Sequence, residues 1–181
     1  MKVYMFLADG FETVEALAPI DVFRRAGVEI HTVSISGNIE VTSSHDVVVE
    51  ADCLLEEIDI TDGDALILPG GYPGYVNLAE NEVVGQTLRT YYDSGRFVAA
   101  ICGAPTVLQR YGVAKGSRVA VHHGCVDEMK DYVLTGHDVE QDRHLITASG
   151  AGHAVEFALA LLYALQGERK VAHVKEGMEL H

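Results

Sequence analysis

Phe97-Val98-Ala99-Ala100-Ile101-Cys102-Gly103-Ala104-Pro105 carries an unbroken apolar run straight into a thiol and then into a turn of small residues. Apolarity without alternation predicts a strand buried on both faces, as in a parallel sheet covered by helices. Cys102 then falls at the strand's carboxyl end. Gly103 and Ala104 leave room for a tight turn, and Pro105-Thr106-Val107-Leu108 opens a helix, where proline's missing N–H is not needed. The arrangement is a nucleophile elbow with cysteine in place of serine. Free amides and the positive end of the helix dipole are expected to lower the thiol from its reference of about 8.5. The competing reading is an inert core cysteine, because free cysteine is among the most buried residue types.

Working outward, similar strand-to-loop transitions recur on the amino-terminal side. Lys2 to Leu7 is a short apolar strand followed by the loop Ala8-Asp9-Gly10-Phe11-Glu12, and Thr13 to Ala26 has helical spacing with Ala16, Leu17, Ile20 and Phe23 on one face. Gly27 stops that helix, and Val28 to Ile35 reads as the next strand, so the chain begins β-α-β with the crossover that parallel strands require. Gly37-Asn38 marks a turn, Glu40 to Thr42 and Asp46 to Glu50 suit a short hairpin, and Asp52 to Asp62 reads as an acidic, solvated connector. Ala65-Leu66-Ile67-Leu68 is another buried strand. It runs into Pro69-Gly70-Gly71-Tyr72-Pro73-Gly74, a loop whose shape is set by its backbone and which serves either as a ligand-facing amide loop or as a plain turn. Asn81 to Ser94 follows as a helix.

Beyond the elbow, Thr106 to Tyr111 is helix and Arg118 to Val121 is strand, leading into His122-His123-Gly124-Cys125. A structural zinc site wants about four well-spaced ligands. Adjacent histidines mostly point apart, so a pocket wall fits better than a metal site, and no metal is expected. Val139 to Asp142 and Leu145 to Ala148 make a hairpin around Arg143-His144, and Ser149-Gly150-Ala151-Gly152 opens an almost wholly apolar helix from Ala154 to Leu165. That tetrapeptide lacks the spacing and lysine of a phosphate loop and predicts close packing instead. Lys170 to Lys175 forms a tail helix.

The chain has 181 residues, is 48% hydrophobic and carries a formal charge of −14, which fits one domain over residues 1–181. That charge opposes binding to nucleic acid or an anionic membrane. Met1 to Leu7 lacks the long apolar region of a signal peptide, and no run approaches a membrane span. Cys53, Cys102 and Cys125 form no even framework and no CxxC pair, so free thiols in a reducing, cytoplasmic compartment are expected.

Four ordered motifs, LADGFETVEA, LPGGYPG, AAICGAP and GHAVEFALAL, resemble the ThiJ/PfpI superfamily almost end to end, nearest to the branch of the parkinsonism-associated deglycase. The resemblance implies a flavodoxin-like α/β sandwich, mostly parallel, that is usually a homodimer. It implies Cys102 as nucleophile, Glu15 as its carboxyl neighbour and His122 as the pocket histidine, with the amides of Gly71 and Gly103 as oxyanion donors. The implied activity is a glyoxalase that needs no cofactor and no glutathione, converting small aldehydes such as methylglyoxal or glyoxal to 2-hydroxy acids, with deglycase activity as a variant. A peroxide sensor or redox-regulated chaperone built on the same thiol is the alternative. Protease-like members carry histidine immediately after the cysteine, where this chain has Gly103, so peptidase activity is not expected.

On residue chemistry alone, a charged Glu15 beside a thiolate would repel it, whereas a protonated one can donate a hydrogen bond to sulfur. Glu15 is thus expected to carry a proton. The alternative for Glu15 is a solvated charge in a first helical turn, and for His122 a satisfied structural histidine.

Overall fold

The computed structural model describes residues 1–180. Eleven strands and six helices follow in order: β1 Lys2–Leu7, α1 Thr13–Arg25, β2 Glu29–Ser34, β3 Glu40–Thr42, β4 Val48–Glu50, β5 Cys53–Leu54, β6 Ala65–Leu68, α2 Gly74–Glu80 and α3 Glu82–Asp93. The elbow strand β7 Phe97–Ile101 comes next, then α4 Pro105–Tyr111, β8 Arg118–Val119, β9 Val133–Leu134, β10 Val139–Asp142, β11 Leu145–Ala148, α5 Ala154–Gln166 and α6 Glu168–Gly177. The main sheet has the order β10-β11-β7-β6-β1-β2-β5 and is parallel except for β10.

The apolar runs are explained by what lies on each side of this sheet. Met5, Ile67, Ala99 and Ile146 are in register across β1, β6, β7 and β11, and all four pack toward the residues of α1 and α5, such as Phe23, Phe157 and Leu161. Their neighbours Tyr4, Leu66, Val98 and Leu145 form the matching row on the opposite face, against Leu78, Val84, Leu88 and Val107 from α2, α3 and α4. With helices on both faces, every position of β1, β6 and β7 beyond the half-buried first residues Lys2 and Phe97 is buried, so alternation disappears from the sequence. The five strands β2-β1-β6-β7-β11 repeat the flavodoxin order, in which the connections diverge between β1 and β6. Ligands of such sheets bind outside the carboxyl ends of strands near that point.

Three expectations need revision. The acidic connector is not simply solvated: Cys53–Leu54 pairs with β2 as the sheet's edge strand, and Ile60 is buried. Asp52 is what anchors it, its carboxylate accepting from the Thr32 N–H and hydroxyl at 2.8 Å each and pairing with Arg24 at 3.0 Å. Second, a separate helix, α2, precedes Asn81, which serves as the cap of α3 with its Oδ1 accepting from Val83 and Val84. Third, the strand at Arg118 stops at Val119 and pairs only with β9, outside the main sheet.

Candidate active site

Three carboxyl-end loops meet where the strand order diverges. The loop after β1 leads into α1, and Glu12 caps that helix by accepting from the Glu15 N–H at 2.7 Å. The loop after β6 is stitched to it: the Glu12 N–H donates to the Gly70 carbonyl at 2.9 Å, and the Gly74 N–H donates to the Gly10 carbonyl at 3.2 Å. The loop after β7 is the elbow, where Cys102 has φ of 63°, a left-handed conformation that a side-chain-bearing residue rarely adopts. It is held by two backbone bonds, the Cys102 N–H to the Ala148 carbonyl and the His122 N–H to the Cys102 carbonyl, both at 2.9 Å.

The side chain of Glu15 is turned inward from the first turn of α1 and is only 1% exposed. Its Oε2 accepts from the Gly70 N–H at 2.8 Å, and its Oε1 is buried with no hydrogen-bond partner among the described residues. A side chain at Gly70 would remove this arrangement, because a Cβ there would lie 2.6 Å from Glu15 Oε2 and 2.7 Å from the Cys102 Cβ. Glycine is required at that position to let carboxyl and thiol approach each other.

Burial lifts the Glu15 carboxyl from 4.5 to about 7, against the opposing pull of hydrogen bonds with Cys102 and Gly70. Burial, followed by the charge and hydrogen bond of Glu15, pushes the Cys102 thiol up to about 12, while the Gly103 and Gly71 amides facing the sulfur pull it down. This corrects the expectation of a thiol lowered by free amides and the helix dipole: desolvation and the neighbouring carboxylate outweigh the amides that pull it down. Between those two values the pair carries one proton and one negative charge. A thiolate is stable there only when the proton rests on Glu15, which removes the carboxylate's repulsion. The partnerless Oε1 is the oxygen free to hold that proton, since Oε2 already accepts from Gly70.

The structure thus brings Cys102, Glu15, Gly71 and Gly103 together. His122 joins them through its backbone; its Nδ1 accepts from the Gly124 N–H at 3.1 Å, and its ring packs against His123 with centroids 4.1 Å apart. Both rings line an adjacent cavity of about 520 Å³ with His137, His153, Asp138 and Ser149. Among the described residues no group of three or more His, Cys, Asp or Glu is arranged to hold a metal ion.

Two contributors escape a reading of the sequence. Gly70 belongs to a glycine loop that is plain in the sequence, but its contact with Glu15 spans 55 positions. Tyr75 lies just past that loop, and its ring covers the face of Gly103, so a Cβ there would fall 2.7 Å from the ring's Cδ1 and Cε1. Tyr75 therefore fills the space that a histidine after the cysteine would need.

A family model described as the DJ-1/PfpI family matches residues 1–164. The chain belongs to the DJ-1/PfpI family. Similarity to family members extends over nearly the whole chain: Protein dj-1beta of Drosophila melanogaster is 35% identical over 176 residues, 96% of this chain and 94% of that protein. The crystal structure of Drosophila melanogaster DJ-1beta superposes with a TM-score of 0.96 at 34% identity, covering 99% of this chain and 98% of that one. A protein of Caenorhabditis elegans named as a glutathione-independent glyoxalase is 33% identical over 161 residues, 88% of this chain and 85% of that protein. No helix among the described residues of this family member is long and apolar enough to cross a membrane.

Proposed function

We propose that the protein is a glutathione-independent glyoxalase that uses Cys102 as nucleophile and Glu15 as proton carrier. The observation that carries the reading is a buried carboxyl, titrating near 7, locked against a cysteine on a strained elbow. Similarity to a relative named for that activity supports it.

The chemistry follows from the shared proton. As the sulfur adds to the aldehyde carbon of methylglyoxal, the proton of the pair passes through Glu15 to the carbonyl oxygen, giving a hemithioacetal and leaving Glu15 as a carboxylate. Glu15 in its carboxylate form removes the hydrogen from that carbon, giving an enediol, and a proton returned to the neighbouring carbon leaves a thioester of the 2-hydroxy acid. Water cleaves the thioester, releasing lactate and restoring the thiol. No external oxidant or reductant is consumed, because one carbon is oxidised as its neighbour is reduced. The Gly71 and Gly103 N–H groups stabilise the oxyanions of addition and hydrolysis, a contribution of roughly 3 kcal/mol for one such donor in other enzymes. His122 holds the elbow through its N–H on the Cys102 carbonyl.

The sensor alternative requires a thiolate that persists without substrate, and burial together with the Glu15 charge opposes that state. A deglycase would employ the same thiol on a larger adduct, and reversible release of free aldehyde would mimic it. Purified protein is therefore incubated with methylglyoxal in the absence of glutathione, and lactate is measured enzymatically. Lactate formed by wild type and not by Cys102→Ser supports the reading, whereas no lactate from wild type overturns it.

A further inference from the structure

Both amides that face the Cys102 sulfur belong to glycines, residues with the greatest conformational freedom, so something must hold them in aim. Tyr75, in the first turn of α2, touches both. Its N–H donates to the Gly71 carbonyl at 2.9 Å, and its ring lies over Gly103 so closely that a Cβ would fall 2.7 Å from Cδ1 and Cε1 and 3.0 Å from Cγ. The ring is half-buried, packs toward the apolar cluster that contains Cys125, and meets Tyr72 with centroids 6.3 Å apart.

We propose that Tyr75 is a positioning residue for the sulfur-facing amides, its backbone fixing Gly71 and its ring pressing on Gly103 so that both N–H groups stay directed at Cys102. The inference rests on the reading of Cys102 as nucleophile and adds a residue outside the reacting set. The phenol brings no charge of its own: burial, and then the neighbouring Cys125, push it up to about 12. Its contribution is therefore made by the ring's bulk rather than by proton transfer. Small displacements of positioned groups cost up to about a hundredfold in rate.

The test compares Tyr75→Phe, which keeps the ring, with Tyr75→Ala, which removes it but leaves the backbone N–H. Two readouts are taken: kcat and KM with methylglyoxal, and the pH dependence of Cys102 alkylation by iodoacetamide, followed by mass spectrometry. Tyr75→Ala is expected to lose at least tenfold in kcat with KM changed less than threefold, and to alkylate at least fivefold more slowly at pH 7. Tyr75→Phe should stay within twofold of wild type in both. Tyr75→Ala within twofold of wild type in alkylation and turnover overturns the proposal, and so does Tyr75→Phe as damaged as Tyr75→Ala, since the hydroxyl would then carry the effect. The alkylation measurement needs no turnover, so it decides the role of Tyr75 even if wild type makes no lactate. Should Tyr75→Ala fail to fold, the double variant with Gly103→Ala refills the space. Gly103→Ala alone is expected to slow alkylation at least fivefold by displacing the ring, and the double variant to regain at least half of that loss. A Gly103→Ala protein that alkylates at the wild-type rate refutes the close packing on which the proposal stands.

Discussion

Replacing Glu15 by glutamine isolates the energetic consequence of burying an ionisable group at the site. In the folded protein the carboxyl titrates near 7, and 4.5 is its ordinary value. Between those values the folded chain binds more protons than the unfolded chain, so stability falls as pH rises through that window and levels off above about 7. At 1.36 kcal/mol per pH unit the full loss is about 3 kcal/mol. The wild type has lost about 1 kcal/mol of it at pH 5 and about 3 kcal/mol by pH 8. Glutamine has no proton to lose in this range. It keeps an oxygen to accept from the Gly70 N–H and offers an N–H to the sulfur, so the geometry is retained.

The variant should therefore gain on wild type by about 2 kcal/mol between pH 5 and pH 8, which in a chain of this size is a melting-point gap that widens by about 4–8 °C. Thermal denaturation of both proteins across that range measures it. The offset at pH 5 reports whatever packing the amide changes, and only the growth of the gap with pH reports the buried proton. A gap that stays constant within 2 °C from pH 5 to pH 8 refutes the buried, elevated carboxyl. The same variant should lose turnover by about 10²- to 10⁴-fold, the range typical of a general acid–base group.

Three further outcomes follow from the geometry. Glyoxalase kcat/KM of the wild type should rise with pH and level off above about 7, as the Glu15–Cys102 pair gives up its first proton; a profile flat from pH 5.5 to 8.5 would contradict this. Gly70→Ala places a methyl group 2.6 Å from Glu15 Oε2 and 2.7 Å from the Cys102 Cβ, so a loss of about 1–3 kcal/mol in urea denaturation and at least tenfold in turnover is expected. Casein or peptide substrates should remain uncleaved, because Tyr75 occupies the space beside Gly103; hydrolysis that disappears in Cys102→Ala would show that reasoning wrong.

Much of this fold is legible in sequence because a doubly covered sheet leaves a distinctive mark. Strands such as Ala65–Leu68 and Phe97–Ile101 lack alternation, and a cysteine at the end of one, followed by glycine, alanine and proline, defines the elbow. The edge strand Cys53–Leu54 leaves no such mark, since two residues among acidic neighbours have no period, and its place depends on the Asp52–Thr32 bonds supplied by another strand. His122 shows the same dependence: sequence puts it at the pocket, but the orientation of its ring is decided by the Gly124 N–H.

The chemistry of Glu15 is the least local property of all. A glutamate in a first helical turn ordinarily faces water and favours the helix dipole. Here the same turn is pinned from two sides of one residue, the Gly70 carbonyl taking the Glu12 N–H and the Gly70 N–H donating to the Glu15 carboxyl. That clamp seats the carboxyl in the interior, where burial raises it toward neutrality against the pull of the Gly70 N–H, and sets it against the cysteine arriving from β7. The pKa of Glu15 is thus set by the burial that a glycine in the loop after β6 permits, and a reaction that needs a proton to move at neutral pH depends on that missing side chain.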